Sequence, residues 1–420
     1  MRKLTTWKIL LVLIGLTVLA AAIYQLPPVK RRFGWRVDFA LVYLHNIFDP
    51  VGEMPTPLPR PQVVVTRRPT ENPVAIALES PTSTPMPTPQ VTPTPTLSPT
   101  PIPQVVSLTP PKWEKQEPNN CGPTSLAMYL RYFSWEGDQA TIAELIKPKE
   151  EDRNVNVEEL DYYVRNRVGW LNFQYRVGGD LETLKKLLAA GLPVMIEESF
   201  ILDQSYWPND DRWAAHYQLL TGYDDARQIF TGQDSYVGPD QKIPYAKLDE
   251  YWQSFKRVYI VIYPRDKEEV VQSILGLHWD KDFNRHQAML AAEADIQADD
   301  ENPYAWFNLG TNLVYFDRYL EAADAYDKAI ELGLPQRFLR YQFGPFMAYF
   351  HSGQLESLFA LTDYALERTK NSEEALLWRG WAHYRQGKLA DAITDFQQAL
   401  QENPNYQDAQ YALNFVYSNP

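Results

Sequence analysis

The chain of 420 residues carries a single cysteine, Cys121, and between residues 112 and 264 a single histidine, His216. A thiol and an imidazole are the minimum set for nucleophilic acyl transfer: the thiolate attacks a carbonyl carbon while the ring takes up and returns a proton. A lone cysteine cannot form an intramolecular disulfide, so Cys121 is a buried inert thiol, an intermolecular link or a reactive group. Its setting, Gln116-Glu-Pro-Asn-Asn-Cys121-Gly-Pro123, favours the last. A base in a thiol site also needs an orienting partner. Asp234, in the turn Gly232-Gln-Asp-Ser-Tyr236, could accept the second imidazole N–H, with Asp224 and Asp225 competing for the role.

These groups must be positioned by the elements around them. Leu126, Tyr129, Leu130 and Phe133 recur at three-and-four spacing, which predicts an amphipathic helix that starts close to Cys121. Pro123 fits its first turn, where no internal N–H donor is needed. The sulfur then lies at the positive end of the helix dipole, which favours thiolate over thiol. Helices are predicted around 157–168 and 181–190, the latter ended by Gly191. Strands are predicted at 193–198, 216–222, 228–231 and 257–263. Helices first and an antiparallel sheet afterwards is an α+β plan, and His216 heads one of its most apolar strands.

Gln116 followed by Cys121-Gly-Pro, then His216-Tyr in an apolar strand, then Gln233-Asp234, resembles the papain-fold peptidases related to the double-glycine-leader (bacteriocin-processing) peptidases. The resemblance covers about 150 residues. It implies Cys121 as nucleophile, His216 as general base and acid, Asp234 as its orienter, and Gln116 as the side-chain oxyanion donor beside the Cys121 backbone N–H. Gln116 stands five residues before the cysteine, where many papain-fold enzymes have six, and Lys115 takes the other place. The implied reaction is peptide-bond hydrolysis through an acyl-enzyme. Leader peptidases of this type are commonly fused to ABC transporters, and no P-loop motif occurs here, so processing coupled to export is not expected.

The flanks add context. Trp7 to Leu26 is almost wholly apolar, behind Arg2, Lys3 and Lys8, and reads as a signal anchor that spans a bilayer; Ala20-Ala21-Ala22 also offers a cleavage site. Residues 33–48 form a short amphipathic stretch. Residues 51–111 hold about half of the chain's 33 prolines, and read as an extended Pro/Thr-rich spacer that holds the downstream domains far from the anchor. From Asp266 onward the chain is helical. The pattern Trp306, Gly310, Ala322, Tyr326, Ala329, Pro335 recurs as Gly380, Tyr384, Ala392, Phe396, Ala399, Pro404, and resembles the tetratricopeptide repeat. A weaker unit surrounds Gly353 and Ala365, a degenerate one carries Ala291, Ala298 and Pro303, and residues 406–417 supply a cap. Such a stack offers a groove for a peptide or partner, or simply packs against and stabilises the catalytic domain.

The expected organisation is multidomain: a signal anchor and juxtamembrane segment (1–50), a linker (51–111), a papain-like α+β domain (112–265) and an all-α repeat domain (266–420). The net charge of −13, with a pI near 5.1, excludes a general nucleic-acid binder. No cofactor is expected. No metal set is expected either: His278, His286, His351, His383 and the run Asp299-Asp300-Glu301 lack ligand spacing. The reading is a membrane-tethered, extracytoplasmic cysteine peptidase acting on peptide or protein, secreted if the anchor is cleaved, whose repeats bind substrate or partner. Two alternatives stand beside it: a non-catalytic peptide-binding scaffold, and a thiol amidase or transamidase acting on cell-wall material.

Overall fold

The computed structural model describes residues 2–26, scattered positions between 29 and 48, and residues 52–58, 102–147, 155–203 and 211–419. The amphipathic stretch expected at 33–48, and most of the linker, lie outside the described residues.

The N-terminal helix α1 runs Arg2–Tyr24, and its large apolar side chains, among them Val12, Val18 and Leu19, are exposed. Among the described residues no helix is long and apolar enough to cross a membrane, so the fold does not establish the expected span.

The elements of the α+β domain follow in the order β1 (Val105–Ser107), α2 (Cys121–Tyr132), α3 (Gln139–Ile146), α4 (Val157–Arg167), β2 (Leu171–Arg176), α5 (Leu181–Ala189), β3 (Val194–Ile201), β4 (Trp213–Asp224), β5 (Ile229–Asp234), β6 (Gly238–Pro244), α6 (Tyr245–Trp252) and β7 (Tyr259–Pro264). The strands form one antiparallel sheet, ordered β2-β7-β3-β4-β5-β6. β3 pairs with β4 from Trp213 to Leu220, and β1 then pairs with β4 at Gly222–Asp224. This strand lies within the stretch expected to be linker, so the sheet begins earlier than the composition suggested. Gly222 permits the pairing, because a Cβ there would stand 2.4 Å from the Val106 carbonyl oxygen.

Both faces of the sheet are covered, which is why β3 and β7 are apolar on alternate and on successive positions. One face packs Met195, Tyr217, Leu219, Ile260 and Ile262 against α2 and α4. The other packs Val194, Ile196, Leu220, Val261 and Tyr263 with residues of α5 and α6.

The remainder is α7 (Glu268–Leu275), α8 (Lys281–Ala298), α9 (Pro303–Tyr315), α10 (Tyr319–Leu332), α11 (Gly344–His351), α12 (Leu355–Arg368), α13 (Glu373–Arg385), α14 (Leu389–Glu402) and α15 (Gln407–Ser418). Three helical hairpins, α9–α10, α11–α12 and α13–α14, carry the repeats. Their spacing has a steric cause: a Cβ on Gly310 would meet the Tyr326 ring at 2.8 Å, and one on Gly380 the Phe396 ring at 2.5 Å. The degenerate fourth unit supplies one repeat helix, α8, which carries Ala291 and Ala298 and packs on α9, while Val271 and Leu275 of the preceding α7 join the second face of the sheet.

The stack is cemented to the α+β domain. Trp213 packs against Phe255 at 5.8 Å between ring centroids, and against Phe338 at 5.2 Å and Tyr341 at 5.7 Å. The Asn308 and Gln342 amides donate to the Gln253 and Ser254 carbonyls at 2.8 and 2.6 Å. Arg257 bridges Asp295 at 2.7 Å, and near the other end of the stack the Asn405 amide donates to the Leu145 carbonyl at 2.9 Å. The first face's hydrophobic core therefore runs without a break into the repeats.

Candidate active site

Cys121 is the first residue of α2, and its side chain is half-buried. Asn120 precedes the helix without a side-chain cap. The helix is held to the sheet immediately behind the sulfur. Ser125 Oγ–H donates to the Tyr217 carbonyl at 2.9 Å, and the Tyr129 hydroxyl accepts from the Ile262 N–H at 2.8 Å while donating to the Pro193 carbonyl. The Tyr217 ring lies 3.4 Å from where a Gly122 Cβ would stand, so the start of the helix is in van der Waals contact with β4.

His216 lies four positions into β4, on the strand next to Tyr217, and is 3 % exposed. Its Nε2 is 3.1 Å from Asp234 Oδ1. That oxygen also accepts from the Tyr236 and Val237 N–H groups at 2.7 and 2.9 Å. The carboxylate is thus fixed by its own turn before the imidazole reaches it. With Nε2 engaged, Nδ1 is the nitrogen left for the thiol. Burial acts to lower the ring's pKa, but the hydrogen bond to Asp234, that to Cys121 and the charges of both outweigh it, and raise the pKa to about 10. Burial likewise acts to raise Asp234, whereas His216 and the two N–H groups hold it below the usual carboxylate range. The arrangement therefore favours an imidazolium between two acidic groups.

Gln116 is tied to the same turn through Ser235. The Gln116 N–H donates to the Ser235 carbonyl at 2.9 Å, and Ser235 Oγ–H donates to Gln116 Oε1 at 2.8 Å. The amide oxygen is occupied, which leaves Nε2 as the donor end. The structure thus brings together Cys121, His216, Asp234 and Gln116. It does not bring in Asp224 or Asp225. Asp224 accepts from the Arg227 N–H at 3.2 Å, and Asp225 pairs with Lys185 and accepts from the Tyr245 hydroxyl.

Several residues at the site carry no sequence signal. Gln139 of α3 is the hub of the cysteine loop: its Oε1 accepts from the Glu117 N–H, Asn120 Nδ2 and Thr124 Oγ1 at 2.7–2.9 Å. Its Nε2 donates to Glu114 Oε1 and the Lys115 carbonyl at 3.0 and 2.8 Å. Trp113 Nε1–H donates to the Asp234 carbonyl at 2.8 Å. The Phe200 ring covers the imidazole at 5.1 Å. Glu198, opposite His216 in the register, is buried, and burial, opposed by His216 and aided by the Asp234 charge, pushes its carboxyl up to about 8. A lone Gln in a predicted loop or a Glu in a strand offers nothing to select it before the register is known.

A cysteine at a helix start, facing a histidine and a carboxylate on an antiparallel sheet, is the plan of the papain-like cysteine peptidases. Residues 107–260 match the Peptidase_C39 like family, and residues 373–406 match the tetratricopeptide repeat. Among solved structures, a C39-like peptidase from Bacillus anthracis is 22% identical over 38% of this chain and 98% of its own, with a TM-score of 0.32. A double glycine motif protease from an AMS/PCAT transporter, solved with its leader peptide, is 20% identical over 38% of this chain and 94% of its own, with a TM-score of 0.29. YrrB, a TPR protein with an unusual peptide-binding site, is 23% identical over 32% of this chain and 68% of its own, with a TM-score of 0.26. No curated protein is significantly similar to the chain.

Proposed function

We propose that the protein is a cysteine peptidase that hydrolyses peptide bonds at Cys121, held at a membrane by its N-terminal segment on the extracytoplasmic side. The observation that carries the reading is the buried His216, bonded to Asp234 at 3.1 Å and raised to about 10 with Cys121 among the causes. In this reading the Cys121 thiolate and His216 imidazolium form the resting pair. The sulfur attacks the scissile carbonyl, and the oxyanion is met by Gln116 Nε2 and the Cys121 N–H. His216 protonates the leaving amine, then takes a proton from the water that releases the acyl group. Asp234 keeps the ring oriented and its charge balanced. The exposed apolar side chains of α1 support tethering, with Lys8 able to snorkel and so lengthen the apolar span. The repeats present the substrate to the site they are cemented to.

The test is a peptide library derived from a digested proteome, incubated with the full chain and analysed by mass spectrometry. The wild type is expected to generate new termini that Cys121→Ala does not. Equal cleavage by both proteins would sink the proposal, and retention of peptides without cleavage by either would establish the scaffold reading in its place.

A further inference from the structure

Residues 52–58, Gly-Glu-Met-Pro-Thr-Pro-Leu, precede the catalytic domain yet lie on the folded body. Arg368, at the end of α12 and 7 % exposed, donates from Nη2 to the Gly52 carbonyl at 3.4 Å. Its guanidinium lies 5.8 Å from the centre of the Tyr364 ring, and the Tyr364 hydroxyl is fixed on the Gln336 carbonyl at 3.0 Å. Two residues on, Met54 packs against the core that the repeats and the catalytic domain share. Pro55 and Pro57 are half-buried, while Thr56 and Leu58 face out. This is how a proline-spaced segment is held: it has few N–H donors to offer a sheet, so a buried arginine bonds a carbonyl and apolar side chains fill a surface.

The sequence adds an independent observation. The docked tetrapeptide Met54-Pro-Thr-Pro57 recurs unchanged as Met86-Pro-Thr-Pro89. The second copy lies outside the described residues, in the same linker.

We infer that the helical domain carries a docking site for the sequence Met-Pro-Thr-Pro, filled in this structure by Met54–Pro57, and that Met86–Pro89 is a second ligand for the same site. The linker is then not a free spacer. One end is pinned at Arg368 and the other enters the sheet at Val105, paired with Asp224. Exchanging the first copy for the second moves the 32 residues that separate Met54 from Met86 from the loop between dock and sheet to the stretch between α1 and the dock. The body thereby has two tether lengths to its N-terminal helix.

Pulsed oxidation of methionine by peroxide, read by mass spectrometry on the full chain, tests this. The fully buried Met195 reports that the fold is intact. In the wild type, Met54 is expected to oxidise several-fold more slowly than Met86. In Met54→Asp, Met86 is expected to slow to the rate Met54 had, whereas in Met54→Leu, which keeps the dock filled, it stays fast. An excess of the synthetic peptide Gly-Glu-Met-Pro-Thr-Pro-Leu is expected to speed Met54 oxidation in the unaltered chain. Equal rates for Met54 and Met86 in the wild type would overturn the dock. An unchanged Met86 in Met54→Asp, or a Met54 indifferent to the peptide, would overturn the exchange.

Discussion

Asp234→Asn separates the charge of the orienting group from its geometry. The Tyr236 and Val237 N–H groups that hold Oδ1 at 2.7 and 2.9 Å can hold an amide oxygen equally well, so the turn stays in place and the charge is what is lost. Both side chains of the pair are about 5 % exposed. At about 4 Å and an effective dielectric constant of about 20, a charge pair contributes about 4 kcal/mol, or about three pKa units. The ring, at about 10 in the wild type, then titrates near pH 7 in the variant. Cys121 is the chain's only thiol, so alkylation reports on this site alone. Iodoacetate is the suitable reagent because its negative charge makes it sensitive to the imidazolium beside the sulfur. The wild-type rate is expected to fall as pH approaches 10, and the Asp234→Asn rate to fall near pH 7. Stability follows the same sign. A raised histidine pKa contributes stability that is complete below the unfolded value of about 6.5 and is lost as pH rises through about 10, so the variant loses it earlier. Alkaline limbs that coincide within half a unit would refute the argument that Asp234 sustains the ion pair.

Two further outcomes are expected. Gln139→Leu leaves the Glu117 N–H and the buried Asn120 amide without their acceptor, which costs about 3 kcal/mol; a lower thermal midpoint and slower Cys121 alkylation are predicted, and unchanged values would show that the hub is dispensable. Glu198→Gln removes an acid raised to about 8, whose contribution is intact below the unfolded value and declines as pH rises through about 8. The variant's stability relative to wild type should therefore grow between pH 5 and pH 9, at about 1.4 kcal/mol per pKa unit, and denaturant melts at the two pH values would contradict this if the difference stayed constant.

The site is legible in the sequence to the extent that scarcity makes it so. One cysteine at a predicted helix start and one histidine at the head of an apolar strand leave little choice, and α2 begins at Cys121 as the spacing of Leu126, Tyr129 and Leu130 requires. The parts that cannot be read depend on register. Nothing in the sequence sets Glu198 opposite His216, or draws Gln139 into the loop before Cys121. Short or polar strands are hidden too: β6 carries Pro, Asp, Gln and Lys, and β2 alternates too briefly between helices to stand out from the turns around it. The two strong repeats are visible because each needs a glycine against an aromatic ring, a constraint written in residue type. The fourth is faint because only α8 packs on the stack, while the apolar residues of α7 lie on the sheet of the α+β domain. The end of the spacer is hidden for a different reason, since Val105–Ser107 is too short a strand to stand out from a proline-rich run.

The strand order has a consequence for how the chain acquires its structure. β7 lies between β2 and β3, and is the last strand in sequence. Until Tyr259–Pro264 is available, β2 has no partner among the described strands and β3 keeps an unpaired edge at Met195 and Ile196. Such long-range insertion slows folding, and an open apolar edge invites pairing between chains. A chain interrupted before Tyr259 should therefore aggregate, whereas one interrupted soon after Pro264 already holds every strand the sheet requires.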